Sequence, residues 1–144
     1  RDFIRTALDL DPVPADIAWT RDAFRDLLKI RKSSTLLRLR TADDIKARLA
    51  FHNTGSGQEA TVLAGHLNGA GYPGANFREL AYLVNVDKVE KAVTLGALAG
   101  KGFSLHPVHS APEAADKRAA QATYDNTTGR FTVPARTAVV WVVN

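Results

Sequence analysis

The chain has 144 residues, 45% of them apolar and 24% charged, with a net charge of +4. This is ordinary globular composition at a length that supports a real core, which argues against a disordered tail, and no apolar run approaches the roughly 18 residues a membrane span needs. The absence of cysteine removes disulfides, thiolate metal sites and a cysteine nucleophile.

Phe3, Ile4, Ala7 and Leu8 have helical spacing in a short first segment. Asp11-Pro12-Val13-Pro14 interrupts it, because proline disfavours helix in the residue before it. A second helix is predicted from Pro14 to about Lys32, with Asp16 near its positive end, a cationic last turn of Lys29, Arg31 and Lys32, and Ser33-Ser34 as its stop. Its apolar residues Trp19, Ala23, Phe24, Leu27, Leu28 and Ile30 fan over about 180°, against the roughly 100° stripe of a helix packed on one partner. Such a helix wants two neighbours. Arg21, Asp22, Arg25, Asp26, Lys29 and Lys32 form the opposite side, expected to face water, with Asp22 in reach of Arg25 and Asp26 of Lys29.

From Thr35 onward the period changes. Thr41-Ala42-Asp43-Asp44 reads as an N-cap and acidic first turn opening a short helix to about Ala47. Strands follow: Leu49 and Phe51 in alternation, the turn Asn53-Thr54-Gly55-Ser56-Gly57, then Ala60 to Leu67. Leu80 to Val86 is apolar on both sides and belongs in the middle of a sheet. Lys91 to Leu95, Phe103 to Val108, Ala119 to Tyr124 and Arg130 to Val133 are further candidates. Thr137 to Val143 closes the chain as a strand buried on both faces. Seven or eight short strands, separated by turn signals and without crossover helices, argue a mainly β fold, an antiparallel β-sandwich preceded by an α-helical segment.

The motifs with chemical potential each have a plainer reading. Gly69-Ala70-Gly71-Tyr72-Pro73-Gly74 and Gly55-Ser56-Gly57-Gln58-Glu59-Ala60 match dinucleotide fingerprints in letters only, since neither opens a helix whose amides could hold a pyrophosphate. His106-Pro107-Val108-His109 would pair two imidazoles on a helix, but Pro107 predicts an extended or bent backbone that scatters the rings, and His52 and His66 supply no third ligand at metal-like spacing. Asp125-Asn126-Thr127-Thr128-Gly129 lacks the alternating acids and distal Glu of a calcium loop and reads as a hairpin turn, although Asn126-Thr127-Thr128 is a formal glycosylation acceptor. No nucleophile elbow or flanking carboxylate pair is present. The basic residues are densest at Lys29, Arg31, Lys32, Arg38 and Arg40. Asp43 and Asp44 follow at once, and no aromatic interleaving marks a nucleic-acid surface. Among the aromatics, Tyr72 and Phe77 in the Gly-rich loop look free to stack on a sugar.

Pro14-Ala15-Asp16-Ile17, the run from Asp26 to Ser34 with Leu37-Arg38-Leu39, Phe51-His52-Asn53-Thr54-Gly55, Gly100 to Val108 and Phe131 to Thr137 together resemble, in order and spacing, the C-terminal region of bacterial pullulanases. These are debranching members of the α-amylase superfamily. The resemblance implies that residues 1–34 are the last helical part of a (β/α)8 catalytic barrel and residues 35–144 a C-terminal antiparallel β-domain. In that superfamily two Asp and a Glu on upstream barrel strands hydrolyse α-1,6 branch points. None of their motifs occurs here, so no catalytic, cofactor-binding or metal residue carries over, and calcium in the parent stays unassigned. The implied role is non-catalytic: covering the barrel of the same polypeptide through Phe24, Leu27, Leu28 and Ile30. The alternative is an α-glucan-binding module using Tyr72 and Phe77. With the barrel removed, one flank of the helix is expected to lie bare, or to be covered by the first dozen residues or by a second copy of the chain. An extracellular or cell-surface setting is implied by the resemblance alone.

Overall fold

A computed structural model of the chain describes residues 11–144, so the first predicted helical segment lies outside the described residues. Helix α1 spans Pro14–Ser33. Pro14 costs its first turn no hydrogen bond, and the Asp16 carboxylate accepts the Val13 N–H at 3.2 Å. Ser34 ends the helix in an extended conformation, and its hydroxyl accepts the Leu36 N–H to open a 3₁₀ turn over Thr35–Arg38. Helix α2, Ala42–Arg48, is capped by Thr41 as its sequence requires.

Eight strands follow: β1 (Leu49–His52), β2 (Val62–Asn68), β3 (Glu79–Asn85), β4 (Lys91–Thr94), β5 (Ser104–Leu105), β6 (Thr123–Asp125), β7 (Arg130–Val133) and β8 (Thr137–Val143). They form a five-stranded sheet ordered β1-β2-β3-β8-β5 and a three-stranded sheet ordered β4-β7-β6. Every pairing is antiparallel. β3 and β8, the most apolar strands, lie side by side at the centre, and both faces of β8 are buried apart from Ala138.

Two expected strands are shorter than their patterns. Only Ser104–Leu105 of the Phe103 to Val108 segment pairs, because Pro107 opens a single helical turn, α3 (Pro107–Ser110). Ala119–Gln121 is a 3₁₀ turn and β6 begins at Thr123. In the β6–β7 hairpin, Asp125 is consumed by the turn itself, accepting the Thr127 N–H and the Thr128 hydroxyl, both at 2.8 Å. Gly129 is required there: its φ is +71°, and a Cβ would collide with the Leu95 carbonyl.

Two apolar cores result. The inner one lies between the sheets and holds Ala64, Leu83, Phe103, Phe131, Val139 and Trp141. Asn85, buried beside it, donates to the carbonyls of Val89, Val133 and Pro134 and so ties β3 to the end of β7. The outer core lies on the other face of the five-stranded sheet, where Ile30 of α1 and Leu36 meet Leu67, Leu80, Val140 and Val142. Alternation along β8 feeds both cores from one strand.

Candidate functional site

α1 is the element whose surroundings carry functional information. Its sandwich-facing side is tied down at two places. Near the middle, the Trp19 indole N–H donates to the Ala115 carbonyl at 3.1 Å, while the Asp26 carboxylate accepts the Ala115 N–H at 2.9 Å. The Arg118 guanidinium, itself paired with Asp116 at 2.7 Å, lies over the Trp19 ring. Asp26 was expected in water. Instead it serves the neighbouring loop and Lys29 together, and the hydrogen bond from Lys29, then that from Ala115, hold its carboxyl below the ordinary carboxylate range.

The second tie is at the C-terminal end. Ser33 donates its hydroxyl to Ile30 O at 2.7 Å and lies 2.9 Å from His106 Nε2. His106 Nδ1 accepts the Val108 N–H, and His109 Nε2 accepts the Val140 N–H. Each ring therefore keeps one nitrogen unprotonated, and burial favours that neutral state: it pushes His106 down to about 4 and His109 downward as well. Where the sequence predicts an extended or bent backbone, His106 caps a helical turn and His109 lies on it, and both imidazoles are spent on hydrogen bonds. Among the described residues no group of three or more His, Asp or Glu could hold a metal ion.

The Gly-rich loop belongs to this tie. Ser34 donates to the Ala75 carbonyl, Asn76 donates to the Ser33 carbonyl, and Thr35 bonds the carbonyls of Pro73 and Gly74. Tyr72 and Phe77 are accordingly half-buried on the outer core rather than free. The Arg48 guanidinium covers the Tyr72 ring at 4.5 Å, and Phe77 packs edge-on against His106. One face of the Tyr72 ring is thereby occupied.

The other histidines sit at the opposite side of the five-stranded sheet. His66 Nε2 lies 2.8 Å from Glu79, which also receives Lys101 at 2.9 Å. Burial works against the Glu79 charge, but the hydrogen bonds from Lys101 and His66 outweigh it and hold the carboxyl below its ordinary value.

Of the four residues assigned to the interface, Ile30 alone is buried, at 3% exposure, while Phe24, Leu27 and Leu28 are 60%, 45% and 46% exposed. Leu27, although half exposed, stands at the edge of the sandwich-facing side, beside Val108, His109 and Ala138. Ile17, at 58%, joins Phe24 and Leu28. At about 100° per residue, positions 17, 24 and 28 fall within about 40° of one another, making a single row. The sequence reading missed Ile17 because the six-residue arc starts at Trp19. The spacing of seven between Ile17 and Phe24 is the signal that finds it. A second exposed apolar set lies on the outer face of the five-stranded sheet, with Phe51, Leu63 and Val86. The bare flank of α1 is uncovered by any described residue.

Comparison with known proteins agrees with this architecture. Residues 2–144 match the family model described as alpha-1,6-glucosidases, pullulanase-type, C-terminal. The chain is 36% identical over 138 residues to pullulanase 1, chloroplastic, from Arabidopsis thaliana, covering 91% of this chain and 14% of that protein. The crystal structure of PulA from Klebsiella oxytoca superposes with a TM-score of 0.77 at 23% identity, over 92% of this chain and 12% of that one. A pullulanase from Paenibacillus barengoltzii gives 0.59 at 25% identity, over 83% and 16%. The Klebsiella likeness establishes the fold; the family follows from the model match and the plant relative. The chain spans about one seventh of the length of that relative, and it belongs to the C-terminal domain family of pullulanase-type alpha-1,6-glucosidases.

Proposed function

We propose that this chain is the non-catalytic C-terminal domain of a debranching glycoside hydrolase whose catalytic region hydrolyses α-1,6-glucosidic bonds, and that it covers and stabilises that region. The observation that carries this reading is the row Ile17, Phe24 and Leu28. It is apolar, exposed, and borne on a helix whose opposite side is fastened to the sandwich by Trp19, Asp26, Ile30 and Ser33. A fixed helix presenting a bare apolar row is a docking device. Burying each such side chain contributes roughly 1.5 to 3 kcal/mol, so the row alone matches a sizeable share of a domain's net stability. On this reading residues 1–34 complete the barrel and residues 35–144 form the β-domain.

The 144-residue chain is expected to release no reducing ends from pullulan, while the full-length polypeptide does. Release by the chain alone would refute the assignment. Affinity electrophoresis in amylopectin separates the glucan-binding alternative: unretarded migration is expected, and retardation lost on Tyr72→Ala and Phe77→Ala would establish sugar binding instead.

A further inference from the structure

Residues 106–118 connect β5 to the 3₁₀ turn at Ala119–Gln121 and touch both α1 and β8. Little apolar surface holds them: Ala114 is the one buried apolar residue of the segment, and Val108 is partly buried on the outer core. Hydrogen bonds do the fastening instead, and most of them end on groups that can take a proton. His106 Nδ1 accepts the Val108 N–H at 3.2 Å, so the single proton of the neutral ring sits on Nε2 and is donated to Ser33 Oγ of α1, 2.9 Å away. His109 Nε2 accepts the Val140 N–H of β8 at 3.1 Å, which places the proton of that ring on Nδ1. The Asp26 carboxylate of α1 accepts the Ala115 N–H at 2.9 Å. The bonds from Trp19 to the Ala115 carbonyl, from the His106 N–H to the Val140 carbonyl and, at 3.5 Å, from Arg118 to the Ala135 carbonyl involve no group that titrates in acid.

We propose that residues 106–118 are an acid-operated strap, closed at neutral pH, where it fastens α1 to β8, and opening on mild acidification while both sheets stay paired. The strap is read from the contacts of this chain. Its consequence, that acid loosens the last barrel helix from the β-domain, rests on the function proposed above. The trigger is geometric. A proton added at His106 Nδ1 or His109 Nε2 sets an N–H against the main-chain N–H that the nitrogen accepted before, so the bond is lost and a cation is left in a site where the residues are only 2% and 7% exposed. Against His106 stand Ser33 of α1, the Phe77 ring and His109, whose own charge would disfavour the proton. His109 feels Asp26 of α1 and Asp116 of the strap, which favour its proton, and shares a cavity with Arg118 and Arg136, while β8 carries no ionisable side chain; burial outweighs both carboxylates. Asp26 is held below the ordinary carboxylate range, so it takes its proton last. The histidines therefore open the strap first, as the pH falls from 6.5 toward about 4. Opening stays local because the strap adds little to either apolar core.

Hydrogen exchange of the 144-residue chain separates the strap from the sheets when it is followed by mass spectrometry between neutral pH and about 4.5 and corrected at each pH for the intrinsic amide rate. Protection of residues 107–118 is expected to fall about tenfold or more across that range while β3 and β7 keep theirs. Unchanged protection in the strap would overturn the proposal, and so would a parallel loss in strap and sheets, which is global unfolding. His109→Gln offers a side-chain carbonyl to the Val140 N–H and no titrating nitrogen, so it should flatten the fall; an equally steep fall would overturn the assigned trigger. Ring-nitrogen NMR of the unmodified chain is an independent readout. His106 and His109 should gain their protons with the same midpoint as the loss of protection, and protonation of both rings with the strap still protected would overturn the proposal. His52→Gln with His66→Gln, on the opposite side of the sheet, should leave that midpoint in place, and a shift would move the effect to those histidines and overturn the strap. None of these failures touches the covering role, which pullulan hydrolysis tests separately.

Discussion

Between the sheets, Phe131 packs at 5.0 Å from Trp141, 4.7 Å from Tyr124 and 5.9 Å from Phe103, and the fully buried side chains there leave no room for another element. On the other face of the same five-stranded sheet, the outer core has one fully buried α1 side chain, Ile30. Its margin consists of half-buried Tyr72, Phe77 and Tyr82, and it runs out into exposed Leu63 and Val86. The chain closes its inner core by itself. The described residues leave the outer one open at its margin.

Substitutions should divide along this line. Trp141→Ala removes the centre of the inner core and is expected to cost about 3 to 5 kcal/mol in urea unfolding of the 144-residue chain. A loss below about 1 kcal/mol would mean that the inner core is not the closed unit described. Ile30→Ala should cost less, near the low end of about 2 to 5 kcal/mol, because the open margin of the outer core lets neighbours and water relax into the space. Its signature is selective: near-ultraviolet signals of Trp19 on α1 should change while hydrogen exchange in β7 stays slow.

The tie between α1 and the sandwich adds a pH dependence. His106 and His109 fold neutral, His106 being held down to about 4, whereas in the unfolded chain both titrate near their ordinary value of 6.5. The unfolded state therefore binds more protons within that window. Stability is complete above about 6.5 and falls as the pH drops toward about 4. Unfolding of the His106→Gln chain should show a shallower decline across the same window, and an unchanged slope would remove His106 from the account. Ser33→Ala deletes the bridging hydroxyl and is expected to cost about 1 kcal/mol. The smallest effect belongs to the bare row: Phe24→Ala should stay within about 0.5 kcal/mol in the 144-residue chain.

These differences also explain what could be read in the residues. α1, β3 and β8 are long and strongly periodic, so their positions and the double burial of β8 follow from pattern alone. The excess apolar width of α1 was visible too, but which flank meets the sandwich was not. Trp19 and Asp26 decide that by grasping Ala115, a residue 96 positions from Trp19 that no local rule connects to it. The same holds at His106. Its neighbours suggested an extended strand, whereas Pro107 suits the first turn of a helix equally well, and long-range contact with Ser33 selects the helical turn. The Gly-rich loop read as a free surface because composition shows its turns and not its partners. Its carbonyls at Pro73, Gly74 and Ala75 are acceptors for Thr35 and Ser34, which turns a flexible-looking segment into a clamp.

The most direct test of the central claim is the stability of the Phe24→Ala, Leu28→Ala double variant measured in parallel in the 144-residue chain and in the full-length polypeptide. The account predicts an unchanged melting temperature in the chain and a loss of about 3 kcal/mol or more in the full-length protein, where both side chains are buried against the catalytic region. Equal effects in the two, or no loss in the full-length protein, would contradict it.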